Sequence, residues 1–137
     1  PDMLKARCVA HGISFAKGLS EEDLVEFLAS SQVALVTGGM IVYESLAVGT
    51  PTIIFPNLKN LVAEAEWFSA HDCAINLGKD GGFDAPYLRH VIASILTDSD
   101  TRERMAKAGR EVIDGHGVAR VCKRLNERYN LTESDTL

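Results

Sequence analysis

Two adjacent glycines, a carboxylate five residues on, and two asparagines beyond the next apolar run are the groups here whose types and spacing could do chemistry. They lie in "VALVTGGMIVYESLAVGTPTIIFPN", Val33 to Asn57, and in the "LKN" that follows. Gly38 and Gly39 stand between an apolar run and an amphipathic segment. A helix that starts there offers unpaired N–H groups and a partial positive charge at its amino end. Phosphate docks on such an end when no Cβ blocks its approach. Thr37 adds a hydroxyl, and Met40 supplies the next amide. Glu44, about one turn further, can accept hydrogen bonds from the two hydroxyls of a ribose. Asn57, Lys59 and Asn60 follow the next apolar run and can orient a sugar or a pyrophosphate. Together these groups suit a nucleoside diphosphate.

A plainer reading is open at each position. Gly-Gly turns a chain tightly, and Glu44 is an ordinary solvated helix residue. Asn57 also suits a helix cap, and Asn60 a helix surface. No Walker lysine follows the glycines and no G-x-G-x-x-G occurs. The four histidines show no H-x-x-x-H or H-E-x-x-H spacing, so no metal site is expected, and no cofactor is implied. No G-x-S-x-G is present for a hydrolase elbow. Glu21/Glu22 and Glu64/Glu66 read as helix faces, and Trp67 and Phe68 as core or interface. Cys8, Cys73 and Cys122 are odd in number and far apart. They suggest buried thiols in a reducing cytosol, hence a cytoplasmic protein.

These groups must be held by alternating strands and helices. Met3 to His11 reads as a helix stopped by Gly12. Strands are expected at Ile13–Ala16, Val33–Val36, Thr52–Phe55 and Cys73–Leu77. Val33–Val36 is a continuous apolar run of the kind buried on both faces of a parallel sheet. Helices are expected after Ser20, which can cap, from Met40 to Gly49, and over "LVAEAEWFSAH". Gly78 to Asp84 is a loop. Three more helices close the chain, and the tail from residue 131 is expected to be flexible. The class is α/β, a Rossmann-like parallel sheet of about four strands flanked by helices, with a helical C-terminus.

The 137 residues suffice for one domain with a core, expected over residues 1–130. A net charge of −5 without a basic run argues against nucleic acid or an anionic membrane as partner. No apolar stretch approaches the ~20 residues of a membrane span. The opening "PDMLKARCVAHG" looks like the middle of a helix, and four strands are few for a doubly wound sheet. Both suggest a piece of a larger protein.

The strand, Gly-Gly, Glu, Gly-x-Pro, strand, Asn-loop order resembles the nucleotide-sugar half of GT-B glycosyltransferases. With "AINLG" and "DGHGVARV", it is most similar to the family of the pseudaminic-acid pathway UDP-sugar hydrolase and the spore-coat polysaccharide glycosyltransferases. In the second segment Asp114, Gly115, Gly117, Arg120 and Val121 stand in place of that family's ending. The resemblance spans roughly Ile13 to Leu125. It implies the C-terminal half of a GT-B fold without its first strands. Gly38, Gly39 and Met40 would then lie on the diphosphate of a UDP-sugar, Glu44 on the ribose and Asn60 near the sugar. Met40 stands where the family has a small polar residue, and Lys59-Asn60-Leu61 where it often has Asp-Asn-Gln. The family's catalytic base belongs to an N-terminal domain, so this chain would need that domain or a partner subunit, and its own catalytic residues are unknown. Hydrolysis of the sugar nucleotide, transfer to an acceptor, and a non-catalytic assembly or regulatory module all fit these residues.

Overall fold

The structure is a computed structural model that describes residues 2–78 and 83–129. The tail and the Gly81-Gly82 part of the loop expected after Gly78 lie outside the described residues. Three strands, β1 (Ala34–Val36), β2 (Thr52–Ile54) and β3 (Ala74–Asn76), form one parallel sheet in the order β1-β2-β3. Ala34 pairs with Thr52 and Thr52 with Ala74, in register along the sheet. The helices are α1 (Asp2–Ala10), α2 (Glu21–Ala29), α3 (Met40–Val48), α4 (Val62–Ala70), α5 (Ala85–Thr97), α6 (Ser99–Val112) and α7 (Gly117–Tyr129), with a single 3-10 turn at Lys59–Leu61.

Side chains alternate across the sheet, as strand geometry requires. Ala34, Val36, Ile54 and Ala74 face a core built with α2, α3 and α4, which includes Leu28, Val42, Leu46, Ala65 and Phe68. Ile53 and Ile75 face α5 through Val91 and Ile95. Three of the helices start at a side-chain cap. Ser20 accepts the Asp23 amide at α2, and Asp84 and Asp98 do the same for Tyr87 and Thr101 at α5 and α6. Gly49 ends α3 in the left-handed conformation, and the Thr50 amide reaches back to the Ser45 carbonyl. The Thr50 hydroxyl donates to the Leu28 carbonyl at 2.8 Å, which ties this turn to the end of α2.

Two expectations change. Ile13–Ala16 is not a strand, and three strands replace about four. The Ile13 amide is used by the Cys8 carbonyl in closing α1, and no ladder partner runs beside the segment among the described residues. β1 is therefore a sheet edge. Its Leu35 is 43% exposed because α5 covers only the neighbouring strands, whereas Ile53 at the same level of β2 is fully buried. The thiols also differ from expectation: Cys73 is buried, Cys8 half-buried and Cys122 exposed. Burial, then the charge of Asp72, pushes the Cys73 thiol up. No helix among the described residues is long and apolar enough to cross a membrane.

α6 crosses α3 where Gly109 meets Leu46. A Cβ added at Gly109 would fall 3.1 Å from the Leu46 carbonyl oxygen and 3.2 Å from its Cδ2. This close crossing sets where α3 lies. Gly109→Val should overpack it and cost about 1–3 kcal/mol. The expected readout is a lower urea midpoint with an unchanged slope; an unmoved midpoint would mean that the crossing has slack.

Candidate functional site

Parallel strands put every strand-to-helix turn on one rim of the sheet, where ligands of open α/β folds bind. Here that rim carries Thr37, Gly38 and Gly39 after β1, and Asn57 to Leu61 after β2. Gly38 adopts φ +110° and Gly39 φ +81°, ψ −159°. The Gly39 conformation is essentially restricted to glycine. The two residues differ in their surroundings. A Cβ on Gly38 would meet Leu61 Cδ1 at 3.1 Å and Cβ at 3.2 Å, whereas a Cβ on Gly39 would meet nothing within 4 Å. Gly38 therefore lets the chain pass under Leu61, and Gly39 leaves open space at the amino end of α3.

Among the first amides of α3, Val42 closes on the Gly39 carbonyl at 3.0 Å. The Gly39 amide donates to Glu64 Oε2 through a long 3.4 Å bond. The Met40 and Ile41 amides have no protein partner among the described residues. Gly39 offers no capping side chain, so among the described residues the side chain that serves this helix end is a carboxylate 25 residues away on α4. Glu64 in turn acts on Tyr43 of α3. Hydrogen bonding to Glu64, then burial, then the Glu64 charge hold the Tyr43 hydroxyl above its ordinary range. Behind Glu64 lies an open cleft of about 360 Å³ walled by Tyr43, Trp67, Phe68, Val112 and Ile113. Its aromatic rings meet edge to face, Tyr43 and Trp67 each 5.3 Å from Phe68.

The remaining expected groups are placed as follows. Thr37 is half-buried beside the glycines, and Met40 is 73% exposed at the first helical position. Glu44 is half-buried and four residues after Met40. The two therefore share the outward face of α3, with side chains tilted toward its amino end. Asn57 and Asn60 are exposed, Asn60 within the 3-10 turn. Asn57 does not cap that turn; Leu58 occupies the position, without a side-chain bond.

No protein-family model matches the chain. It is 26% identical over 107 residues to the spore coat polysaccharide biosynthesis protein SpsG of Bacillus subtilis (strain 168), a match covering 78% of this chain and 32% of that protein. The solved structure of the glycotransferase of kitacinnamycin superposes with a TM-score of 0.59 at 22% identity, over 79% of this chain and 32% of that one. The fold is glycosyltransferase-like. The chain spans about a third of the length of each of these proteins.

In this glycosyltransferase-like fold, "DGHG" forms a clamped turn. Asp114 Oδ1 accepts the His116 amide at 3.0 Å, and Oδ2 accepts Arg120 Nη1 at 2.6 Å. Gly115 has φ +75°. The clamp aims α7, whose Val118, Val121 and Leu125 are all exposed.

Glu64 and Tyr43 are the members of this rim that sequence reasoning missed. Glu64 reads as a helix-face carboxylate, and no local spacing links it to Gly39. The available signal was topological: the first turn of the helix after β2 must lie beside the turn after β1.

The Asp114 clamp has a pH signature. The Arg120 hydrogen bond, then the His116 amide, holds the Asp114 carboxyl at about 2, below its usual 3.8. A depressed folded-state value means that the contribution is whole above the unfolded pKa and lost as pH falls through the folded one. The His116 amide resonance should therefore move with a midpoint near pH 2 as the clamp opens, and Asp114→Asn should remove that step. A His116 amide insensitive to both changes would show that the turn holds without the carboxylate.

Proposed function

We propose that this chain is the nucleotide-sugar-binding part of an enzyme that hydrolyses a sugar nucleotide, with UDP-sugar as its ligand class. The observation that carries the reading is the amino end of α3, where two amides without protein partners among the described residues and a Cβ-free approach meet on the ligand rim of the sheet. The likeness to a polysaccharide biosynthesis protein and to a glycotransferase supports sugar chemistry. In this reading Gly38, Gly39 and Met40 receive the diphosphate, with Thr37 beside them. Glu44 accepts the ribose hydroxyls, and Asn57 and Asn60 border the sugar. The domain occupies residues 1–130 as the C-terminal half of a GT-B arrangement.

A second domain or subunit is part of the proposal, because hydrolysis needs a base within hydrogen-bond reach of a water aimed at the sugar. Two surfaces support such a neighbour. Leu35 of β1 is 43% exposed, and α7 displays Val118, Val121 and Leu125 at helical spacing without burying them. A thirteen-residue helix is marginal in water without a packed face. Transfer of the sugar to an acceptor alcohol uses the same donor residues and differs only in what that neighbour delivers. The module reading, assembly without catalysis, is favoured by one observation: Leu61 and Glu64 already occupy part of the rim.

Titration of the chain with UDP, followed by amide NMR, should shift Gly38, Gly39, Met40 and Glu44. Glu44→Ala should weaken binding by about tenfold, equivalent to about 1.4 kcal/mol, and leave the urea midpoint in place. Silence of these amides at millimolar UDP would remove the nucleotide reading. An unchanged dissociation constant in Glu44→Ala would remove Glu44 from the ribose.

A further inference from the structure

We propose that Glu64 is a resident anion at the amino end of α3, competing with an incoming phosphate for the Gly39 amide and thereby setting the affinity and charge preference of the site. The proposal rests on the nucleotide-sugar reading above and adds to it the residue that regulates access.

The donors can be followed one by one. Of the α3 amides from Gly39 to Val42, one is internal, two lack protein partners among the described residues, and the Gly39 amide is held by Glu64 Oε2 at 3.4 Å. That bond is longer than the 2.7–3.2 Å of well-made N–H···O contacts, so it is readily exchanged. The carboxylate does not come from the local chain. It reaches across from the first turn of α4, and its other polar neighbour is the Tyr43 hydroxyl. None of the residues walling the cleft behind it is Lys, Arg or His. Glu64 is thus a carboxylate with no cation in its cleft, drawn to the positive end of a helix. Phosphate seeks the same field and the same N–H groups.

Two anions cannot share that end without repulsion, so a diphosphate either expels Glu64 into the open cleft or binds against its charge. Both routes lower affinity for the more highly charged ligands. A neutral nucleoside does not meet this opposition. The Tyr43 hydroxyl, held above its ordinary range by the neighbouring Glu64, adds a polar group beside the resident carboxylate. A merely structural role for Glu64, as a cap for α3, predicts something else: removing its charge would loosen α3 and leave binding unchanged or weaker.

The test compares the chain with Glu64→Gln, using UDP, inorganic pyrophosphate and uridine as probes in calorimetry. Glu64→Gln should bind UDP and pyrophosphate about tenfold or more tightly, with uridine unaffected, and the Gly39 amide resonance should differ between the two proteins before ligand is added. Should Glu64→Gln fold poorly, Tyr43→Phe keeps the ring against Phe68 and removes the hydroxyl beside Glu64; it should shift UDP affinity in the same direction by less. UDP bound equally by the parent chain and the variants, or more weakly by the variants, overturns the competition and leaves the nucleotide reading intact. No UDP binding by any of them at millimolar concentration overturns the nucleotide reading and the competition with it.

Discussion

The passage from β1 into α3 can be made only by residues without a Cβ. Gly39 holds a backbone conformation that side-chain-bearing residues rarely adopt, and Gly38 passes within close contact of Leu61. This turn decides where α3 begins, and so where its amino end opens on the rim. The rest of the domain keeps that end still. Leu46 is gripped by Gly109 of α6, the Gly49 turn is tied to α2 through Thr50, and β1 and β2 are locked in register.

A fixed helix end is also a fixed electrostatic problem. Its amides point away from the helix, and Gly39 supplies no side chain to satisfy them. The fold places one acid beside those amides and another on the same helix. Glu64 arrives from the neighbouring strand-to-helix unit and engages the Gly39 amide. Glu44 shares the outward face of α3 with the exposed Met40. Two carboxylates in such different positions need not have one role. The first engages the Gly39 amide, and the second stands half-buried on the outward face one turn further along the helix.

The layers around this site are unevenly filled. One face of the sheet has three helices, while the other has α5 over β2 and β3 and leaves Leu35 of β1 exposed. α7 follows the Asp114 clamp and buries none of its apolar residues among the described ones. An α/β domain normally buries both faces of its sheet. The chain matches about a third of the length of the proteins it resembles.

Much of the architecture was legible in the residues because it depends on neighbours in sequence. Ser20 caps the helix it precedes, Gly49 and Gly12 stop the helices they follow, and the apolar runs at Val33, Thr52 and Cys73 contain the three strands. The glycine pair and its position before a helix could be read for the same reason. Ile13–Ala16 could not, because a short apolar run becomes a strand only when another strand lies beside it. The exposure of Leu35 depended likewise on which strand ends at the edge. The meeting of Gly39, Tyr43 and Glu64 was decided by tertiary structure alone: hydrogen bonding and charge act through space, and it is the parallel packing of two strand-to-helix units that brings a carboxylate 25 residues away onto that amide.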